Sequence, residues 1–305
     1  MRIRASVAAV TGALALSALA VPAAHADGSA SAYRTEAVKI FNKAHAASAK
    51  QGVKGVRGGT PYDLDVTFSQ FKVAKAIKVG TTNHVATTVT YTLTHGADVD
   101  ITADDFLNGP FLYKGSFDEP DNMLFGDLPA TCKVVTDTTA KCTGKVDIYP
   151  SDGELWNSDA GGWKGGGLAI AYNGQGDEEN PDLSKVGVSE KGGLGSTSLQ
   201  RYSRQTVNAS PEPVKKGKTI TVTGALTRAN WEDNKYHGYT QQSVKLQFKK
   251  KGASAYTTLK TVKTDSKGNL KTTVKASADG YFRYSFAGTS TTPAIDSTAD
   301  FVDVR

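Results

Sequence analysis

The strongest constraint on the fold is a period-of-two alternation that begins at Tyr62 and recurs in short runs as far as Val304. Leu64, Val66 and Phe68 alternate with Asp65, Thr67 and Ser69, and Val89, Tyr91 and Leu93 alternate with Thr88, Thr90 and Thr92. Successive side chains of a strand point to opposite faces, so each run reads as a strand with one buried face. Thr and Val load these runs, while Gly, Asp, Asn and Pro separate them. That is the pattern of antiparallel strands joined by turns. It predicts further strands at 97–103, 110–117, 131–136, 140–149, 168–172 and 199–208. Pro211 and Pro213 cannot donate to a ladder and mark a boundary. A second series follows over Thr219–Leu226, Ser243–Lys249, Thr257–Thr264, Leu270–Ala276, Tyr281–Ala287 and Ala299–Val304. With Arg204–Ala209 ahead of it, the second series reaches an immunoglobulin-type strand count. Tyr281 or Tyr284 is placed to make a corner hydrogen bond.

Before the strands the pattern changes. Tyr33, Ala37, Ile40, Phe41, Ala44 and Ala47 fall at helical spacing, which predicts one amphipathic helix from about Ser31 to Lys50. Its many bases allow a membrane-surface role, but the mostly alanine face favours loose packing on the first domain or a semi-ordered leader. Arg2 and Arg4, the apolar run Val7–Val21 and Ala24-His25-Ala26 form a signal peptide, with cleavage expected after Ala26. The run is shorter than the ~20 residues a membrane span needs, so no transmembrane segment is expected. The fold class expected is all-β: two immunoglobulin-like β-sandwich domains preceded by a short N-terminal helix. The expected divisions are a signal peptide 1–26, a helical or flexible leader 27–59, an acidic sandwich 60–209 and a basic immunoglobulin-like domain 210–305.

Export sets an oxidising context for the only two cysteines, Cys132 and Cys142. Both lie in strand-like flanks around the turn Thr136-Asp137-Thr138, which predicts a disulfide across one hairpin. Closing so short a loop stabilises by about 2–3 kcal/mol in the chain-entropy model.

Three segments carry a resemblance. Val214–Gly224, Lys260–Gly268 and Gly280–Gly288 resemble immunoglobulin-like modules of secreted actinobacterial proteins. The whole chain looks like one of the uncharacterised exported two-domain proteins of that group, some of which carry a calcium-binding label. The resemblance implies export and fold, and no settled function.

Charge divides along the chain. Residues 58–207 hold 12 Lys+Arg and 20 Asp+Glu, a net of −8, whereas residues 208–305 hold 16 and 8, a net of +8. The overall +6 is therefore not a nucleic-acid signature, and export argues the same way. The alternating lysines of the second half suit a solvated strand face, or attraction to an anionic wall polymer or lipid.

Hydrolase, zinc-protease and nucleotide-binding motifs are missing, and the histidines are scattered. No cofactor is expected except calcium. Asp177, Glu178, Glu179 and Asp182, after Gly174 and Gly176, concentrate oxygen ligands for it, although the run does not match an EF-hand. Asp98, Asp100, Asp104 and Asp105 form a second acidic cluster, with Asp98 and Asp100 on one strand face. The other candidates are aromatic. Trp156 and Trp163 lie in a glycine-rich stretch read as a loop, Asp152–Gly167, and Trp231, Tyr236 and Tyr239 lie between two strands of the second domain. Rings beside Asp and Asn suit glycan contact, since sugar C–H faces pack on them. The bland alternative is that each Trp plugs its own sandwich. The leading reading is a secreted, extracellular, non-catalytic binding or adhesion protein for cell-wall glycan or another extracellular polymer. A calcium-binding extracellular module is the runner-up and an enzyme comes third. The oligomeric state stays open.

Overall fold

A computed structural model describes residues 30–48, 59–176 and 181–305. The expected signal peptide and much of the leader lie outside them. The described chain is mostly strand and divides into two compact units. The first holds the described residues up to Ile77, His84–Tyr149 and Gly162–Thr197; the second holds Lys78–Asn83, Pro150–Gly161 and Ser198–Arg305.

The first unit opens with helix α1 (Ala30–Ser48). Its strands are β1 (Tyr62–Asp63), β2 (Val66–Lys72), β3 (Ala76–Val79), β4 (Val85–His95), β5 (Phe106–Gly115), β6 (Pro120–Phe125), β7 (Thr131–Thr136), β8 (Thr139–Ile148), β9 (Gly161–Ala171) and β10 (Gly187–Arg201), of which the end of β3, the first residue of β9 and the end of β10 are assigned to the second unit. One sheet runs β1-β10-β9-β5-β6, with β3 also on β10; the other runs β2-β4-β8-β7. The sheets face each other: Phe68 and Phe71 of β2 lie against Gly167 and Gly165 of β9. The helix covers the opposite face of the larger sheet. Tyr33, Ala37, Ile40 and Phe41 pack with Phe111, Phe125, Leu168 and Ile170. Phe41 is 1% exposed and meets Phe111, Phe117 and Phe125 edge-on, at 5.4, 6.0 and 6.2 Å. Burial of one such ring stabilises by about 1.5–3 kcal/mol. The helix is thus an integral third layer of the unit rather than a loosely packed leader.

Two segments depart from the pattern-based expectation. The glycine-rich stretch is strand from Gly161 onward. A Cβ on Gly165 would lie 2.4 Å from Phe71, one on Gly166 2.2 Å from Phe111, and one on Gly167 2.6 Å from Phe68. These glycines admit rings against both faces of β9, which is why the strand lacks the usual branched residues. The expected strand at 97–103 is a turn instead. Asp100 Oδ1 accepts hydrogen bonds from Thr102 N (2.8 Å) and Oγ1 (2.6 Å), a local turn that displaces the ladder. Asp98 and Asp100 therefore do not share a strand face. The hairpin of β7 and β8 is present, with Cys132 directly opposite Cys142 and disulfide-bonded to it.

The second unit adds β11 (Ser203–Gln205), β12 (Asn208–Ser210), β13 (Thr219–Asn230), β14 (Lys235–Gly238), β15 (Ser243–Lys250), β16 (Thr257–Lys263), β17 (Asn269–Lys275), β18 (Gly280–Phe286), β19 (Ile295–Asp296) and β20 (Asp300–Val302). Its principal strands lie in the orders β12-β13-β17 and β16-β15-β18-β20. That is a seven-strand immunoglobulin-type sandwich. Strands β11 and β12 both pair with β13 and so belong to this sandwich, ahead of the prolines. The prolines instead switch the chain between edges: after cis Pro211 and cis Pro213, Val214 bridges in parallel to Val304. The core contains Ile220, Val222, Leu226, Val244, Leu246, Phe282, Tyr284 and Phe286. The Tyr284 hydroxyl donates to the carbonyl of Val222 at 3.0 Å. Tyr284 therefore ties one sheet to the other rather than making a corner within its own. Burial pushes its hydroxyl up to about 12.

Candidate functional site

The five aromatic residues separate into core and surface. Trp163 and Trp231 are each 1% exposed. Trp163 points inward with Gly165 and Gly167 by the alternation of β9. The Trp231 indole N–H donates to Gly80 O at 2.9 Å. Both side chains are buried, and neither offers a ring face to solvent. Trp156 is 42% exposed, at a bend where its backbone N–H donates to Asp159 Oδ2 (2.8 Å). Tyr236 and Tyr239 are half-buried, and arginines cover them: Arg204 lies 3.5 Å over the Tyr236 ring and Arg228 4.0 Å over that of Tyr239. Trp156 alone of the five keeps a substantially exposed side chain.

The proposed calcium ligands Asp177, Glu178 and Glu179 lie outside the described residues. Asp182 is described, and its Oδ1 accepts from Ser184 N (3.1 Å) and Oγ (2.6 Å). The hydroxyl bond and then the N–H bond of Ser184 hold this carboxyl below its ordinary range. It caps the single turn Leu183–Lys185.

The structure assembles two further groups of residues. The first is on the outer face of β15 and β18. Register places Lys249 opposite Tyr281 and Tyr281 opposite Phe301. The Lys249 ammonium lies 5.0 Å from the Tyr256 ring and 5.3 Å from that of Tyr281; Arg283 lies 3.9 Å over Tyr256, and Lys251 5.7 Å from Phe301. This row of rings and cations borders a cleft of about 430 Å³ lined by Lys216, Lys250, Lys251, Asp279 and Arg305. Asp279 is the one acid among them, and it is engaged: Oδ1 accepts from Val304 N (2.9 Å) and Oδ2 lies 3.9 Å from Lys251. Arg305 pairs with Asp303 at 3.1 Å. Lys216 and Lys250 have no ion-pair partner among the described residues. The run Lys249-Lys250-Lys251 was visible in sequence, but its neighbours Lys216 and Arg305 arrive through the parallel bridge of Val214 to Val304.

The second group lies in the first unit. His84 Nε2 and Asp147 Oδ1 are 2.8 Å apart. Asp147 Oδ2 accepts from Asp127 N (3.0 Å). Asp127 Oδ2 accepts from the Tyr149 hydroxyl, and Arg34 Nη1 lies 3.6 Å from Asp127 Oδ1. Arg34 Nη2 donates to the Asp147 carbonyl at 3.0 Å. The His84 ring stacks on Tyr149 at 4.3 Å, tilted by 9°. Holding its proton against Asp127 pushes the Tyr149 hydroxyl up to about 12.

No protein-family model matches the chain, and no curated protein matches it significantly. Among solved structures, a three-domain titin fragment, I67–I69, is 10% identical over 79% of this chain and 66% of that one, with a TM-score of 0.30. The Escherichia coli adhesin FdeC is 13% identical over 79% and 65%, with a TM-score of 0.28. The Yersinia pseudotuberculosis adhesin InvE is 12% identical over 81% and 61%, with a TM-score of 0.24. The chain spans about two thirds of the length of these structures. The fold assignment rests on the strand orders above, and no functional conclusion is taken from these likenesses.

Proposed function

We propose that this is an exported, non-catalytic binding protein whose second domain holds an anionic polymer of the cell exterior. The observation that carries the reading is the cleft at Lys216, Lys250, Lys251 and Arg305, where cations outnumber the single acid Asp279. The net +8 of residues 208–305 draws polyanions toward it over longer range. The adjoining rings of Tyr256, Tyr281 and Phe301 hold the cations of this face in place through their π-faces. The disulfide suits an oxidising compartment, and no helix among the described residues is long and apolar enough to cross a membrane.

The test is retention on purified cell wall before and after acid extraction of its phosphate-bearing polymer. Binding is expected to the intact wall and to the extracted polymer, and to fall more than about tenfold in the triple variant Lys216→Ser, Lys250→Ser, Lys251→Ser. Equal retention on the stripped glycan would overturn the anionic reading in favour of a neutral one.

A further inference from the structure

We infer that His84, Asp127 and Asp147 of the first domain bind one divalent cation of the zinc class. One ligand atom from each residue lies within 4.8 Å of the other two. An imidazole nitrogen with carboxylate oxygens suits zinc and its first-row neighbours, whereas calcium and magnesium take oxygen ligands. The three residues come from separate segments: before β4, after β6 and within β8. They are therefore not a single solvated acidic run.

Orientation gives a second argument. Metal-binding side chains are ordinarily fixed by outer hydrogen bonds that leave the ligating atom free. Asp147 is anchored through Oδ2 by the Asp127 N–H, which turns Oδ1 toward His84. Asp127 is anchored through Oδ2 by Tyr149, its Oδ1 lies 3.6 Å from Arg34 and would be shared between that guanidinium and the cation, and the same tyrosine stacks under the His84 ring. One side chain thus orients two of the three ligands.

Charge gives a third. Of the two carboxylates, that of Asp127 pairs with the Arg34 guanidinium, which also reaches the main-chain carbonyl of Asp147, and among the described residues no lysine pairs with either. The Asp147 side chain is 7% exposed, so water does not offset the remaining negative charge. A carboxylate buried this far needs a positive partner. A divalent cation provides it. The cation would take the place of the His84–Asp147 contact and share Asp127 with Arg34, with water completing its coordination.

The full chain is titrated with zinc chloride, followed by calorimetry and by thermal melting. The expected result is one equivalent bound through this site and a melting temperature raised by several degrees at saturation, with no rise from calcium chloride at the same concentration. His84→Phe keeps a ring on Tyr149 and removes the nitrogen; Asp127→Asn keeps the shape and removes the charge. Each is expected to weaken that equivalent by about tenfold or more. His237→Ala, which opens the exposed 2.6 Å pair with Asp233, is expected to leave it unchanged. The inference is overturned if zinc leaves the wild-type melt unmoved. It is equally overturned if both site variants bind as tightly as wild type, or if binding is lost with His237→Ala instead.

Discussion

The two sandwiches place their charge differently. In the first, an arginine from the helix and a histidine from a loop converge on two aspartates, one of them buried, and hydrogen bonds engage the carboxylate oxygens. In the second, lysines stand on the outer face among half-buried rings, and two cations of the cleft have no acid within ion-pair distance among the described residues. Inward charge must be matched locally because burial makes a lone charge costly. Outward charge can be left unmatched because water screens it, which leaves it available for a partner. The same architecture thus supports a fixed polar network in one domain and an open electrostatic surface in the other.

Substitutions can break or sharpen this contrast. The largest effect is expected from Phe41→Ala, which removes the ring that joins the helix to Phe111 and Phe125. A loss of about 3–5 kcal/mol is expected in the first domain, read from denaturant unfolding with domain-specific probes. If the first domain were unmoved, the helix would not be a structural layer. Replacing Cys132 and Cys142 together by serine is expected to cost the same domain about 2–3 kcal/mol. The second domain should unfold unchanged in both cases.

Tyr284→Phe acts on the other side of the comparison. It leaves the Val222 carbonyl without its side-chain donor and is expected to cost the second domain about 1–2 kcal/mol. It should also change the alkaline response. The hydroxyl ionises at about 12 when folded against 10.0 for a free tyrosine. Between those values the folded form keeps a proton that the unfolded form has lost, so stability falls as pH rises through the window. Urea midpoints measured from pH 9 to 12 should decline less steeply in the variant. The smallest effect is expected from Trp156→Ala. A stability change within about 0.5 kcal/mol matches an exposed side chain, and a loss as large as that of Phe41→Ala would place it in a core.

What could be read from sequence was local. The helix and the β7–β8 hairpin with its disulfide each depend on spacing within one segment, and both are present. The burial of Trp163 and Trp231 depends on partners far along the chain: the carbonyl that accepts the Trp231 N–H is that of Gly80. A glycine-rich stretch reads as loop until Phe68, Phe71 and Phe111 are seen against it. The His84–Asp147 pair arises from the β4–β8 register, in which Ala86 lies opposite Asp147. A histidine just before one strand and an aspartate near the end of another are a usable signal only once that pairing is known. The cleft in the second domain was half legible, since the lysine run was visible and its parallel bridge was not.

The central claim is that the unmatched lysines of the second domain carry the binding. Its most direct test is the affinity for the extracted anionic wall polymer as a function of salt, for the wild type and for the triple lysine variant. The account predicts weakening with salt in the wild type and a logarithmic slope shallower by about two in the variant. The same affinity and the same slope in both proteins would contradict it.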